Sequence, residues 1–201
     1  MNYKFWKGGN YEKTKLLIVG ESFYSGDLEV HKNLNDNLLC IKMINEVIDL
    51  SHVSKTHKNL QKVLEGNYIE KNQSFYDKIA YHQLVQRPMK TVKERPTRED
   101  YIEGFKTLFS KVIPELKPNK ILFLGVGSVN VGLTSFSKLR PELNLVPVNC
   151  GEKVGRSYPR YKSINVEGND VELLWITHPG MAFNSLKWRS KLSDKYADYL
   201  V

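Results

Sequence analysis

Cysteine is scarce in this sequence. Its two cysteines, Cys40 and Cys150, stand far apart with no Cys-x-x-Cys spacing, which argues against a disulfide framework, a zinc site or an iron–sulfur cluster. Both thiols are expected to be buried, the ordinary place for free cysteine, and no metal or cofactor is expected. Also lacking is any apolar run near the roughly 20 residues needed to cross a bilayer. The opening "MNYKFWKGGNYEK" has no continuous apolar core of the secretory kind. A soluble, cytoplasmic, monomeric protein without a membrane partner is the expectation. Two nucleotide fingerprints are missing as well. "GVGSVNVG" places Gly125, Gly127 and Gly132 as G-x-G-x-x-x-x-G, whereas the dinucleotide motif has its third glycine three residues after the second, and no Gly-Lys-Ser/Thr of a phosphate loop follows. These glycines are expected to let a helix start pack closely on a strand, with anion binding by its amides as the alternative.

What is present is a length of 201 residues, an ordinary hydrophobic share of 41% and a formal charge of +8. The length suits one core, and with no repeat, low-complexity tract or linker a single domain over residues 1–201 is expected. The charge favours polyanionic partners such as nucleic acid without fixing a fold.

Hydrophobic periodicity gives a strand at residues 15–19 closed by Gly20, then a helix with Leu38, Ile41, Ile44, Val47 and Ile48 on one face. A short helix at 57–64 and an apolar strand in "KIAYHQLV" follow. Thr97 can cap a helix with Asp100 three residues on, and that helix should stop near Leu116. "KILFLG", "LNLVPV" and "VELLWIT" read as strands, and residues 185–201 as a last helix. Alternating strands and helices predict an α/β fold, a three-layer α/β/α sandwich on a central, mostly parallel sheet, with ligands held beyond the carboxyl ends of its strands. The loops "GESFYSG", "GVGS" and "HPG" should converge there. His178, at the end of a buried strand and followed by Pro179, would be presented to that edge; a lone histidine there is more often structural than chemical.

Four motifs occur in order: "GES" at residues 20–22, "YHQLVQRPMKTVKERPTREDY", "ELKPNKILFLG", and "HPG" at 178–180. Together they resemble the uracil-DNA glycosylase superfamily, which places a Gly-Glu or Gly-Gln loop after the first strand and a His-Pro-Ser type loop after the last. Its iron–sulfur branch has a base-reading asparagine strand, Arg-Pro, an Arg-x-Pro-Thr-x-Glu-like helix start and Leu-x-Pro before a strand ending in Leu-Gly. The resemblance covers nearly the whole chain, and it implies that fold and a DNA repair hydrolase that flips a base from the helix. The sequence also departs from the pattern. Ser22 stands where the best-known branch has an aspartate that orients or activates water. His82 or Gln83, depending on a one-residue shift, replaces the base-reading asparagine. The cluster cysteines are absent. The stacking aromatic is Phe23, Tyr24 or neither, and Met181, Ala182 and Phe183 lie where the family often has a wedge.

Chemistry assigns roles on that basis. A flipped base needs a stacking ring and an edge-reading amide, which Phe23 or Tyr24 with Gln83 would supply. Departure of the base leaves negative charge on it, which a donor stabilises; His178 is the candidate. Glu21 would act as general base or balance the sugar cation, unless it only accepts loop amides. Phosphates call for cations. Residues 87–98 hold five basic residues and one acid, among them Arg87, Lys90 and Arg95. "KVGRSYPRYK" and "LKWRSK" add Arg156, Arg160, Lys187 and Arg189, interleaved with Tyr158, Tyr161 and Trp188. A solvated charged face is the plainer reading of each segment alone; basic plus aromatic suits unstacked nucleic acid. The first functional expectation is a base glycosylase acting on DNA. The others are a non-catalytic member that binds nucleic acid or nucleotide, and an enzyme on a small nucleoside or sugar phosphate that shares only the fold.

Overall fold

The computed structural model describes residues 3–23, 37–49, 53–89, 91, 93–180 and 182–201. Along them run β1 (Trp6–Lys7), α1 (Tyr11–Thr14), β2 (Leu16–Gly20), α2 (Leu39–Ile48), α3 (Lys55–Leu64), α4 (Gln73–Asp77) and β3 (Ile79–Gln83). Then come α5 (Arg98–Thr107), α6 (Ile113–Leu116), β4 (Lys120–Leu124), α7 (Thr134–Leu139), β5 (Val148–Asn149), β6 (Arg160–Val166), β7 (Asn169–Ile176) and α8 (Ser185–Lys195). No described helix is long and apolar enough to cross a membrane.

The strands form one seven-stranded sheet in the order β1-β3-β2-β4-β7-β6-β5. Its centre, β3-β2-β4-β7, is parallel, while β1, β6 and β5 join antiparallel at the two sides. The sheet is therefore mixed, and the expectation of a mostly parallel one holds for its centre alone. The difference comes chiefly from β6. Residues Glu167 and Gly168, both with positive φ, turn the chain back so that Val166 pairs with Asn169, a two-residue hairpin of the kind that demands left-handed backbone. Of the expected "LNLVPV" strand only Val148 lies in β5, because Pro147 before it has no N–H for a ladder.

All five residues of β2 are buried, as are all five of β3, which is what a strand covered on both faces requires. Alternation divides them: Leu17, Val19, Ile121, Phe123, Leu173 and Trp175 pack with side chains of α5, α6 and α7, whereas Leu16, Ile18, Leu122, Leu124, Leu174 and Ile176 pack with α2, α3, α4 and α8. Phe123 and Trp175 stack at 4.5 Å. In α2 the buried side is Leu39, Cys40, Ile44 and Val47; Leu38, expected on that face, is exposed. Cys40 is fully buried and Cys150 only partly, and burial pushes the Cys40 thiol up to about 12.

Local chemistry sets the helix ends. Thr97 Oγ1 accepts the Asp100 N–H and the Asp100 carboxylate accepts the Thr97 N–H, a reciprocal cap on α5. Ser54 caps α3 and Asn184 caps α8. After α5 the helix continues through a π-turn to α6 and ends at Lys117, as expected near Leu116. Gly132 explains the glycines after β4 in part: a Cβ there would lie 2.1 Å from Tyr101 Cβ, so its absence lets the turn after β4 press directly on α5. Gly132→Ala is expected to cost about 1–3 kcal/mol through overpacking, read as a lowered denaturation midpoint. Gly9→Ala, with nothing within 4 Å of the new methyl, is the control expected to leave the midpoint within about 0.5 kcal/mol.

Candidate functional site

The carboxyl ends of β3, β2, β4 and β7 open side by side, and the chain stays tied where it leaves them. Leu84 donates its N–H to Gly20 O at 2.9 Å, Val85 to Glu21 O at 3.0 Å and Met89 to Phe23 O at 2.7 Å, so the loops after β2 and β3 continue as a pair. Gly125, just past β4, likewise donates to Ile176 O of β7 at 2.9 Å. Between these ends and the helices α2 and α3 lies a cleft of about 230 Å³. That is several times the roughly 30 Å³ share of one liquid water, and enough for a six-membered ring with its exocyclic oxygens. Residues 20–23, Gln83 and His178 all line it.

His178 is held in one tautomer. Its Nδ1 accepts the Gly180 backbone N–H at 3.1 Å, so the neutral ring carries its hydrogen on Nε2. The ring is exposed at the cleft mouth, yet partial desolvation holds its pKa below the usual value; Glu21 opposes that shift and Arg95 adds to it. The loop is fastened from the side by Asn59, whose Nδ2 donates to Pro179 O at 2.8 Å and to Gly180 O at 3.4 Å. Glu21 receives the Tyr101 hydroxyl on Oε1 at 2.6 Å. Gly127 lies beside this carboxylate, where an added Cβ would make an ordinary contact at 3.5 Å with the same oxygen. Gly132, by seating Tyr101, thus acts on the position of Glu21.

Ser22 is buried, and its Oγ finds no hydrogen-bond partner among the described residues. Phe23 lines the cleft with its ring edge-on to Tyr3 at 5.4 Å; Tyr24 lies outside the described residues. The choice between His82 and Gln83 is resolved by strand alternation. Gln83 is on the cleft side with Tyr81, to whose hydroxyl its Nε2 donates at 3.4 Å, and its Oε1 is buried without a partner among the described residues. His82 points to the opposite face of β3 and is not a cleft residue: it is fully buried, and Gln86 Nε2 donates to its Nε2 at 3.2 Å.

The cationic residues separate into two groups. The Arg87 guanidinium donates to both oxygens of Asp100 at 2.7 Å and to Glu94 at 2.8 Å. Paired with two carboxylates, it ties the loop after β3 to α5. Arg189 likewise donates to Val63 O at 2.9 Å, closing the carboxyl end of α3. Arg95 is exposed and close enough to His178 to act on its charge. Arg156 and Lys187 are exposed, and Arg160 donates to Asn130 at 2.8 Å on the edge beyond β7. Lys90 and Met181 lie outside the described residues. Of the interleaved aromatics, Trp188 is core, stacked on Phe183, and Tyr158 lies under Lys153.

No protein-family model matches the sequence, and no curated protein is significantly similar to it. Among the described residues no group of three or more histidine, cysteine or acidic side chains could hold a metal ion. The residues that sequence reasoning missed are Tyr101, Asn59 and His57. Each acts through a contact between segments distant in the chain; only the position of His57 three residues after a capping serine carried a local signal.

Proposed function

We propose that the chain is a three-layer α/β/α member of the uracil-DNA glycosylase superfamily and that its cleft recognises an altered base in DNA and excises it hydrolytically. The observation that carries this reading is the meeting of Glu21, Gln83 and His178 in one crevice of ring-sized volume at the carboxyl edge of the parallel strands. Phe23 supplies an aromatic surface to the base and the Gln83 amide reads its edge. Water attacks the sugar carbon, the bond to the base breaks with its electron pair going to the base, and the His178 Nε2–H donates to the oxygen on which that charge collects. Glu21 balances the sugar cation and takes the proton of the attacking water; because Tyr101 orients it through Oε1, this work falls to Oε2. Arg95, which acts on the charge of His178, would take a phosphate, and Arg156 and Lys187 offer further exposed cations.

Ser22 favours a second reading, a catalytically inactive member that binds nucleic acid or nucleotide, because a neutral hydroxyl cannot supply the charge of an aspartate. The two separate on incubation with single- and double-stranded oligonucleotides bearing uracil, xanthine-type or mismatched bases. Alkali-labile sites are expected under the first reading. Salt-sensitive binding without strand scission would replace it with the second, and nucleotides that raise thermal stability without any affinity for DNA would sink the first, leaving a nucleotide-binding member or a small-molecule enzyme.

A further inference from the structure

Helix α8 begins shortly after the cleft residue His178 and runs beside α3 in the same direction. Asn59, early in α3, holds Pro179 and Gly180, and further along Arg189 donates to Val63 O, so the two helices leave the cleft together. Trp188 and Leu192 are the buried side of α8. On its flank Lys187, Lys191 and Lys195 follow one another at intervals of four residues, which stacks them in one row. A solvated helix face gains by setting a carboxylate three or four residues from a lysine, as Glu103 stands to Lys106. Here each step of four joins like charges, and none of the three lysines has an ion pair among the described residues. Gly151, turning with positive φ between β5 and β6, draws the last two together. The place a Cβ of residue 151 would take lies 2.8 Å from Lys191 Nζ and 3.2 Å from Lys195 Nζ, so the ammonium groups are no more than about 6 Å apart. Charges of one sign at that separation repel, and an anion between them removes the repulsion. Lys153, Lys187 and Lys191 line a groove of about 360 Å³ here, with Glu152 and Asp194 as its acids.

We propose that the row Lys187, Lys191 and Lys195, with Lys153 across the groove, is a phosphate track that holds the backbone of the DNA strand whose base enters the cleft. From Lys187 to Lys195 the helix rises roughly 12 Å, a length over which one strand of duplex DNA carries about three charges. Three cations thus meet about as many phosphates. The track positions the strand and reads no base. The identity of its polyanion as DNA with an altered base rests on the reading above.

Equilibrium binding of the full chain to labelled single-stranded and duplex oligonucleotides, between about 50 and 200 mM salt, tests this. The double variant Lys191→Ala, Lys195→Ala keeps α8, since alanine is the better helix former. Its affinity is expected to be about 10- to 100-fold lower at the low-salt end, and its logarithmic salt slope shallower by about 1.4 on single strands and about 1.8 on duplex, as for two lost phosphate contacts. Asp194→Asn, which removes an acid from the groove, should bind more tightly than the wild type. Lys7→Ala with Lys106→Ala, which takes the same charge from outside the groove, should keep the wild-type slope. An unchanged slope in the Lys191 and Lys195 variant, or an equal loss in the second pair, overturns the track and leaves base excision in the cleft standing. Loss of binding in that variant, with no excision by the wild type, upholds the track and removes the glycosylase reading. A wild type without salt-sensitive affinity for any oligonucleotide overturns both.

Discussion

His178→Ala is expected to slow release of an altered base from an oligonucleotide by about 100- to 1,000-fold, the loss that follows removal of one donor aimed at developing negative charge. The ring sits where the edges of β4 and β7 meet, its Nδ1 occupied by the Gly180 N–H at 3.1 Å. Its Nε2–H is therefore oriented before reaction and gains most when charge reaches the base. The ring is exposed to solvent, and its partial desolvation against the protein holds its pKa below the ordinary value, which favours the uncharged N–H donor near pH 7. Binding of the same oligonucleotide should fall far less than the rate, because a bond that strengthens only as the base departs adds little to the ground state. Equal losses in binding and rate would make His178 a binding residue only, and an unchanged rate would remove it from the chemistry.

Acid is expected to weaken the fold through His82. Burial lowers its pKa from 6.5 to about 4, and protonation would set a new N–H against the Gln86 amide nitrogen that now donates to it. Between those pH values the unfolded chain takes up a proton that the folded chain refuses, so stability is complete above pH 6.5 and falls as pH drops towards 4. The difference is on the order of 3 kcal/mol, a sizeable part of the roughly 5–15 kcal/mol typical of a domain. Denaturant midpoints measured across this range should show a shallower dependence in His82→Asn, which removes the titrating ring and keeps an acceptor. Parallel curves for the two proteins would show that another group carries the acid sensitivity.

Particular elements show what the sequence disclosed. The strands β2, β4 and β7 are apolar runs bounded by turn residues, and the cap on α5 is written in Thr97 and Asp100, so local chemistry was enough. Convergence of the loops after β2, β4 and β7 followed from placing those strands parallel. Strand β6 was hidden because its first half carries Arg160 and Lys162 with no buried residue among Arg160–Ser163, and their charge read as a phosphate-binding segment. Its turn, Glu167–Gly168, also lacks the Asn-Gly or Asp-Gly pair that signals such hairpins. Counting cations could not reveal that Arg87 faces Asp100 and Glu94, nor that Arg189 closes α3, since the partners arrive only with the fold. The choice between His82 and Gln83 turned on the parity of one strand, where a shift of one residue exchanges the two sides.

The paired loops beyond β2 and β3 have one more consequence. With Gly20, Glu21 and Phe23 each accepting a main-chain hydrogen bond from the neighbouring loop, one wall of the crevice is preorganised, and the loss of backbone entropy there is charged to folding instead of to capture of a guest. Weakening this seam should lower affinity by raising the ordering cost of association, even where every side chain that touches the guest is unchanged.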